Sequence, residues 1–397
     1  MKILQVCPKF HHSVASGSTI VAYHISKELA SRRHLVVVYT SDMKDKYTRM
    51  DCGVEEIDGV KIYRFGNLGT IATREMKIFV TPQIIWSLRS ELRSFDVIHI
   101  HEYRSFQDII VHHYAKKYGV PYVLQAHGSL LRVGAWRKLK WVYDVLFGYR
   151  LLRDSSRVVA LSQVEAEQYM SMGVPEEKIA VIPNGINLSE YASLPPKGSF
   201  KRKFGIKEEE KIVLYLGRIH KGKGIDFLIK SFACMVKNSM ENVKLVIAGP
   251  DDGYLNQARY LVNSLGLKEK VLFTGMLSEN DKINAYVDSH VVVNVEPTNV
   301  FGLVPIEAVA CSTPVIVSKG NAISEVIHKG KFGFSVKYGD IDDLSGIMDK
   351  MLNNDELLEE MGQRGRKYIF ENFGWSKIVG ELEKVYEETM RGRGSIR

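Results

Sequence analysis

The stretch "KIVLYLGRIHKGKGIDFLIKSF" (residues 211–232) contains a β-like run, a basic glycine-rich turn and a helical pattern, in that order. The run KIVLYLG is almost continuously apolar, which is typical of a strand that is covered on both faces of a parallel sheet. The apolar residues after the turn recur at the spacing of one helix face: Ile225, Leu228, Ile229 and Phe232. The stretch therefore predicts a strand–turn–helix unit of an α/β fold.

Other short β-like runs alternate with helical patterns on both sides of this unit. They include MKILQV, HLVVVYT, DVIHIH and RVVALS before it, and VKLVIAG, VVVNV and TPVIVS after it. Such alternation predicts right-handed βαβ units and parallel sheets. The series stops at residues 185–210, where Pro-Pro, Gly and many charges indicate a linker. We expect two doubly wound α/β domains, with ligands at the carboxyl ends of the strands and in the cleft between the domains.

Composition narrows the class of protein only slightly. A chain of 397 residues exceeds one compact core, which agrees with two domains. Four scattered cysteines without zinc-type spacing favour a reducing compartment. The first ten residues are more typical of a strand than of a signal peptide, and no apolar run is long enough to predict a transmembrane helix. The net charge of +8 suits nucleic acid, anionic membrane or phosphorylated ligands, and by itself favours none of them.

The turn "GRIHKGKG" (residues 217–224) is the first candidate site. Arg218 directly follows the predicted strand, and Lys223 lies five residues later, just before a helix. Two cations and a helix N-terminus form a typical diphosphate site. A solvated basic turn explains the same spacing equally well.

The stretch "EPTNVFGLVPIEA" (residues 296–308) is the second candidate. If Pro305 opens a helix, the amides of Phe301, Gly302 and Leu303 face an incoming anion. Glu307 would then lie in the first helical turn, where a carboxylate can accept two hydrogen bonds from a vicinal diol such as ribose. The alternative is a carboxylate that only caps the helix.

Two further candidates lie in the first half. In "QAHGSLL" (residues 125–131), His127 ends an apolar strand and so points towards the expected ligand site, although most lone histidines are structural. In "KFHHSVASGSTIVAYHISKELA" (residues 9–30), a Ser16-Gly17 loop precedes a helix whose free amides could contact phosphate. There is no GxGxxG or GxxxxGK[ST], so neither a nicotinamide site nor a P-loop is indicated.

The segment "VGAWRKLKWVYDVLFGYRLLRDSSR" (residues 133–157) mixes aromatic and basic side chains. This mixture suits a helix at a membrane interface. It also suits a helix that packs on its sheet and keeps only its basic tips in water. We favour the packed helix.

Taken together, these motifs resemble glycosyltransferase family 4, a family of retaining nucleotide-sugar glycosyltransferases with the GT-B fold. The resemblance is strongest over residues 155–375, and the motifs that carry it are IPNGIN (182–187), GRIHKGKG, VIAGP (246–250), FGLVPIEAVACSTPVIVS (301–318) and FENFGWSKI (370–378). The first half matches more loosely, through DVIHIHEY (96–103) and QAHGS. Several motifs occur in the family's order, which is far more specific than any one of them.

The resemblance implies a fold and its division. It implies two Rossmann-like α/β domains that face a central cleft. Residues 1–190 would form the acceptor-side domain and residues 191–372 the donor-binding domain. Residues 373–397 would form a helix that crosses back to the first domain.

The resemblance also implies a role for each matching residue. Arg218 and Lys223 would neutralise the donor diphosphate, and Glu307 would hold the ribose hydroxyls. His127 would contact the donor sugar or its leaving oxygen. The remaining donor contacts would come from Gly17 at the phosphate, Gly275 and Met276 at the base, and the amides of Phe301, Gly302 and Leu303.

One position departs from the family pattern. The family commonly has Glu where this chain has Asn299, and Pro-Ser where it has Val295-Glu296. An amide can hydrogen-bond sugar hydroxyls but supplies no negative charge near an oxocarbenium ion. Either Asn299 contacts the donor sugar in a changed way, or Glu296 takes the usual place of the missing acid.

The implied activity is metal-free, cofactor-free transfer of a hexosyl unit, with retention, to a glycan, lipid-linked or small-molecule acceptor. Such enzymes serve polysaccharide or glycolipid synthesis in the cytoplasm, and some act at the inner face of the membrane. We expect no nucleic-acid partner. Two alternatives remain open: a nucleotide-sugar epimerase or hydrolase of the GT-B fold, and a non-catalytic nucleotide-sugar-binding homologue.

Overall fold

The structure is a computed structural model, and it describes residues 1–11, 17–44, 48–69, 79–132, 136–238, 242–297 and 301–392. The chain forms two compact units. The first contains Met1–Gly185 together with Trp375–Arg397, and the second contains Ile186–Gly374. The expected domain limits were residues 190 and 372, a few residues from these positions.

The first unit is built on an eight-stranded sheet. Its strands are β1 (Lys2–Val6), β2 (Leu35–Ser41), β3 (Gly53–Ile57), β4 (Val60–Phe65), β5 (Val97–His101), β6 (Tyr122–Gln125), β7 (Arg157–Ala160) and β8 (Ile179–Val181). Their order across the sheet is β3-β4-β2-β1-β5-β6-β7-β8, and every neighbouring pair is parallel except β3 and β4.

Helices cover both faces of this sheet. Within the described ranges they are Gly17–Ser31, Ile84–Glu91, Phe106–Tyr118, Arg137–Tyr143, Tyr149–Asp154, Gln163–Ser171 and Trp375–Arg391, with a π-helical turn at Asp144–Gly148 and 3-10 turns at Leu92–Ser94 and Glu176–Lys178. The apolar residues of β1 alternate between the two faces: Leu4 joins one buried cluster and Ile3 joins the other. Trp375–Arg391 packs against Gly17–Ser31 and contributes Leu382 and Tyr386 to the core around Ile3.

The second unit is built on a six-stranded, entirely parallel sheet. Its strands are β9 (Lys211–Leu216), β10 (Val243–Ala248), β11 (Val271–Gly275), β12 (Val291–Asn294), β13 (Val315–Ser318) and β14 (Gly333–Val336), in the order β11-β10-β9-β12-β13-β14. Its described helices are Ser199–Phe204, Ile225–Asn238, Leu255–Ser264, Glu279–Asp288, Leu303–Ala310, Ala322–Gly330, Ile341–Leu352 and Asp355–Asn372, with 3-10 turns at Leu188–Tyr191 and Lys221–Lys223.

The strand orders indicate where each unit would bind a ligand. In the first sheet the order in which strands are added reverses at β1, which lies between β2 and β5. In the second sheet it reverses at β9, which lies between β10 and β12. Loops that leave the carboxyl ends of such strands diverge to opposite faces and open a crevice for ligands. The segments that follow β9 and β12 carry the two strongest motifs of the sequence, residues 217–224 and 296–308.

Two parallel-sheet α/β domains were predicted, and the structure confirms them. The antiparallel edge strand Gly53–Ile57 was not predicted, because "GVEEI" is polar and largely exposed. The packed-helix interpretation of residues 133–157 is wrong for the helix Arg137–Tyr143, in which no side chain is buried. In the parts of the chain that are described, no helix has both the length and the apolar character needed to cross a bilayer.

Candidate functional site

The two predicted cations, Arg218 and Lys223, follow β9 at the point where the second sheet changes direction. Gly224 sits between Lys223 and the helix Ile225–Asn238 with a φ of +71°. A Cβ at this position would lie 2.2 Å from the carbonyl oxygen of Val295. Only glycine allows this approach, which brings the loop after β9 against the end of β12.

A carboxylate from a neighbouring strand end pairs with each cation. Lys223 Nζ forms an ion pair with Glu296, which follows β12 and is only 4% exposed. Arg218 forms an ion pair with Asp252, which follows β10. Glu296 is therefore paired with Lys223. An anionic ligand that binds Arg218 and Lys223 has to displace both Asp252 and Glu296.

Glu307 is the fifth residue of the helix Leu303–Ala310, so it lies beyond the first turn in which the sequence placed it. It makes no helix cap. The hydroxyl of Tyr286 donates to Glu307 Oε2 at 2.8 Å, and Lys282 Nζ lies 3.5 Å from Oε1. Glu307 is thus a largely buried, oriented carboxylate rather than a capping group.

The start of the same helix is anchored by an aromatic contact. The ring of Phe301 is 9% exposed and stacks on Phe373, with 6.4 Å between ring centroids and 24° between planes. Gly302 ends the loop with extended backbone, and the helix begins at Leu303. The first amides of a helix have no intrahelical acceptor, so this end offers donors to an anion. Asn299 lies outside the described residues, and its predicted role remains a prediction.

Gly275 and Met276, the predicted neighbours of the base, lie at the end of β11. Met276 is 72% exposed, and Gly275 has a φ of +72°. The carbonyl of Gly275 accepts from the amide of Gly249 at 2.8 Å. A Cβ on Gly249 would lie 1.9 Å from the carbonyl oxygen of Gly217, so glycine here keeps the ends of β9 and β10 in register.

The first unit carries His127, which follows β6 in a left-handed conformation, with a φ of 51°. His127 Nε2 lies 3.0 Å from Nδ1 of His101, and the two rings stack at 5.3 Å and 14°. His101 Nε2 lies 2.6 Å from the side-chain oxygen of Gln5. The Tyr386 hydroxyl lies 2.7 Å from Nδ1 of His99 and 3.4 Å from Nε2 of Gln5.

This chain of contacts fixes the tautomer of His127. The Gln5 oxygen only accepts, so His101 carries its proton on Nε2 and accepts on Nδ1. His127 must then donate from Nε2, which leaves a lone pair on its Nδ1. Burial lowers the pKa of His127 to about 3, so the ring is neutral near pH 7. Within the described ranges this buried Nδ1 has no hydrogen-bond partner, so His127 offers an acceptor.

The loop that carries His127 is held from several directions. The amide of Gly128 donates to Glu165 at 2.6 Å, and the Arg104 guanidinium donates to the carbonyl of Leu130 at 2.7 Å and pairs with Asp144. Arg104 itself has a positive φ of 75°. Strained non-glycine backbone of this kind persists where the surroundings hold it, commonly at functional sites.

Gly17 is exposed at the start of the helix Gly17–Ser31, while Ser16 lies outside the described residues. The next residue, Ser18, donates from its hydroxyl to Glu102 Oε1 at 2.5 Å. Glu102 follows β5 with a φ of 72°. The helix start and the end of β5 therefore meet at the switch point of the first sheet.

Sequence reasoning missed His101 and Glu102 as parts of this region. A signal was present in "DVIHIHEY", because His99 and His101 lie two residues apart and so share one face of a strand. Asp252, Lys282 and Tyr286 gave no local signal. The second unit gathers Arg218, Lys223 and the Glu307 helix around β9 and β12, while His127 and Gly17 belong to the first unit.

Family comparisons cover nearly the whole chain. A family model described as glycosyl transferases group 1 matches residues 196–368. A model described as glycosyltransferase family 4 matches residues 15–190. The two matches fall on the second and first units, respectively.

Curated relatives align over most of their length. An uncharacterized glycosyltransferase of Methanocaldococcus jannaschii is 28% identical, over 99% of this chain and 100% of its own. N-acetyl-alpha-D-glucosaminyl L-malate synthase of Bacillus anthracis is 26% identical, over 94% of each chain. Alpha-monoglucosyldiacylglycerol synthase of Streptococcus pneumoniae is 26% identical, over 90% of this chain and 80% of its own.

Solved structures share the fold. HepE of Anabaena, in complex with UDP and glucose, superposes with a TM-score of 0.76 at 17% identity, over 98% of this chain and 100% of its own. Sucrose-phosphate synthase of Thermosynechococcus elongatus gives a TM-score of 0.76 at 19% identity, over 99% and 100%. The prediction of the GT-B fold is thereby confirmed.

Proposed function

Because the chain belongs to glycosyltransferase family 4, we propose that it transfers a hexosyl unit from a nucleotide-diphosphate sugar, with retention and without a metal. One observation carries the proposal: two cations and an oriented carboxylate are grouped around the switch point of the second sheet. Arg218 and Lys223 suit a diphosphate, and Glu307 suits a ribose diol.

The chemistry required of the site is charge stabilisation. When the bond between the anomeric carbon and the diphosphate oxygen breaks, negative charge develops on the leaving oxygen and positive charge on the sugar. The acceptor hydroxyl oxygen bonds to the anomeric carbon from the same face, and its proton passes to the leaving diphosphate. Arg218 and Lys223 stabilise the leaving diphosphate once it has displaced Asp252 and Glu296 from them. The amides at the start of Leu303–Ala310 add donors for the same anion. Positive charge from side chains thus takes the part that a metal ion has in other transferases.

We propose a narrower role for His127 than the sequence suggested. Its neutral ring keeps a lone pair on Nδ1, so this atom can accept a hydrogen bond but cannot donate one. It has no proton there to give to a leaving oxygen. Between the two roles first considered, the tautomer supports contact with a donor-sugar hydroxyl.

The relatives guide the choice of substrates. HepE is described with UDP and glucose, which makes UDP-glucose the first donor to test. Two relatives are named for malate and diacylglycerol products, so both small-molecule and lipid-linked acceptors belong in the panel. The proposed acceptor is a glycan, a lipid-linked sugar or a small molecule, and the proposed compartment is the cytoplasm.

The test measures nucleotide release from UDP-, GDP- and ADP-sugars, with and without acceptors and with and without a chelator. Acceptor-dependent release that survives chelation, with an α-linked product from an α-linked donor, supports the proposal. Donor turnover without an acceptor favours an epimerase or hydrolase instead. Donor binding without release under any condition favours a non-catalytic homologue.

A further inference from the structure

The face of the first sheet that packs against Trp375–Arg391 is largely apolar but becomes polar towards the carboxyl ends of β1 and β5. Ile3 and Val97 belong to its apolar cluster. Gln5 and His99 lie two residues further along each strand, are paired with each other in the sheet and are fully buried. Buried polar groups are nearly always hydrogen-bonded, so these two side chains need partners from the helix that covers them.

Tyr386 of that helix is the partner of both side chains. Its own side chain is fully buried, and its hydroxyl lies 2.7 Å from Nδ1 of His99 and 3.4 Å from Nε2 of Gln5. Burial raises the pKa of Tyr386, so the hydroxyl keeps its proton. Because an amide nitrogen only donates, the hydroxyl accepts from Gln5 and donates its proton to His99. We propose that Tyr386 is a positioning residue for His127, because it holds the Gln5 amide that sets the proton of that ring through His101.

The Gln5 amide is the group through which the whole chain of bonds could reverse. A half-turn of this amide exchanges its oxygen and its nitrogen, so that the nitrogen faces His101. His101 would then accept on Nε2 and donate from Nδ1, and His127 would have to carry its proton on Nδ1. The atom of His127 that now offers a lone pair would become a donor.

Tyr386 opposes this half-turn because it joins the amide to His99. The hydroxyl has one proton, and it could donate to a Gln5 oxygen only if His99 moved its own proton from Nε2 to Nδ1. The amide and the ring would therefore have to change together. Without the hydroxyl, Gln5 and His99 are no longer linked, and the amide can take either orientation. Loss of this one oxygen atom should turn the single tautomer of His127 into a mixture.

The hydroxyl of Tyr386 can be separated from the packing of its ring. The ring belongs to the core that holds Trp375–Arg391 against the sheet, and phenylalanine keeps that ring. Tyr386→Phe therefore removes only the hydrogen bonds. Tyr39→Phe is the matched control, because Tyr39 is fully buried in the same unit and its hydroxyl donates to Glu91 at 3.2 Å, outside this chain of bonds.

The test is nitrogen-15 NMR of the full chain labelled at histidine, which shows directly which ring nitrogen carries the proton. The signals of His127 and His99 are identified by their loss in His127→Asn and His99→Leu. In the parent chain, both rings should carry the proton on Nε2. A proton on Nδ1 of either ring overturns the proposal, and this result needs no Tyr386 variant to fold.

The Tyr386 variant is then compared with its control, after a melting profile has shown that each is folded. In Tyr386→Phe, the two nitrogen signals of His127 should move to values between those of the two tautomers. In Tyr39→Phe they should match the parent chain. His127 signals that are unchanged in Tyr386→Phe contradict the proposal.

The consequence for turnover rests on the proposed function, in which His127 accepts from a donor-sugar hydroxyl. Only rings protonated on Nε2 are then productive, so Tyr386→Phe should lower kcat by that fraction, which is about twofold for an equal mixture. Adding Gln5→Leu to Tyr386→Phe should be no slower than Gln5→Leu alone, because Tyr386 acts through Gln5. Losses that multiply in the double variant would contradict this route. The NMR measurement uses no substrate, so it can fail or succeed whether or not the chain transfers a sugar.

Discussion

His127 donates from Nε2 to Nδ1 of His101 across 3.0 Å, and this bond leaves the lone pair of His127 on Nδ1, the atom proposed to face the donor sugar. His101 is a positioning residue. Replacing it with leucine removes the acceptor, so His127 should lose its fixed tautomer. We expect His101→Leu to lower kcat by about tenfold or more, with little change in KM for the donor.

Glutamine at the same position keeps a side-chain acceptor. His101→Gln should therefore recover most of the turnover that His101→Leu loses. If the two variants are equally impaired, the bond acts only through packing, and the assigned tautomer has no part in turnover.

The diphosphate assignment predicts that Arg218→Ala and Lys223→Ala each lower turnover by about a hundredfold, because each removes a preorganised cation from the leaving group. Lys221 is an exposed lysine in the same turn and provides the matched control. Lys221→Ala should retain near-parental rates of nucleotide release. Full activity in both Arg218→Ala and Lys223→Ala would refute the assignment.

In the proposed site, the donor would have to displace Glu296 from Lys223. Removing its charge by Glu296→Gln should tighten binding of a nucleoside diphosphate by about fivefold, measured by calorimetry. Asp252→Asn should have a smaller effect, because the Arg218 side chain is 57% exposed and water screens that pair. Unchanged or weaker binding by Glu296→Gln would show that this acid serves the site in another way.

The same Glu296→Gln variant also tests which residue takes the place of the acid that the family commonly has at residue 299. If the donor sugar needs a carboxylate at residue 299, Asn299→Glu should raise turnover and Glu296→Gln should leave kcat unchanged. A loss of kcat in Glu296→Gln, with no gain in Asn299→Glu, would assign the role to Glu296 instead.

We expect the Glu307 carboxylate to bind the ribose hydroxyls, and its hydrogen bond from Tyr286 to keep it in the required orientation. Glu307→Gln should raise KM for the donor by about tenfold, since an amide cannot accept from both hydroxyls of a diol. Tyr286→Phe removes only the 2.8 Å bond to Glu307 and should have a milder effect. A 2′-deoxyribose donor analogue should lose affinity for the parent chain but not for Glu307→Gln.

The stability of the chain should fall in mild acid. Burial lowers the pKa of His99 to about 3, whereas an unfolded histidine titrates near 6.5. Below pH 6.5 the unfolded state takes up the proton first, so stability is lost as pH falls from 6.5 towards 3. For His99 alone the loss between pH 7 and pH 5 is about 2 kcal/mol.

Melting curves at the two pH values check this expectation. His99→Leu should show a smaller drop between pH 7 and pH 5 than the parent chain. His113→Leu, at an exposed position, should show the parental drop. An identical pH dependence in all three proteins would contradict the role of His99.

The sheets could be predicted because their evidence is local. Runs such as KIVLYLG are apolar throughout, and a parallel strand buried on both faces requires this. The outward orientation of the apolar side chains in residues 136–153 could not be predicted from the local sequence. This orientation depends on the contact between Asp144 and Arg104, a residue 40 positions earlier in the chain. The spacing of residues along one helix does not predict such a contact.

In the candidate site, too, some residues could be predicted from the sequence and others could not. Arg218, Lys223 and Glu307 were found from motif spacing and from the family resemblance. Their partners were not, because Glu296 lies 73 residues from Lys223 and Tyr286 lies 21 residues from Glu307. The tautomer of His127 depends on Gln5 through His101, which lies 96 residues from it.

The place of Trp375–Arg391 also imposes an order of events during synthesis. Residues 186–374 form a unit that is continuous in sequence, so all of it has been translated before residue 375 is added. Residues 1–185 precede that unit, yet Leu382 and Tyr386 of their core are translated after it. Until then, the cluster around Ile3 and Val97 lacks the side chains of Trp375–Arg391, and His99 lacks its tyrosine partner. The first half of the chain to be made is therefore the second to be completed.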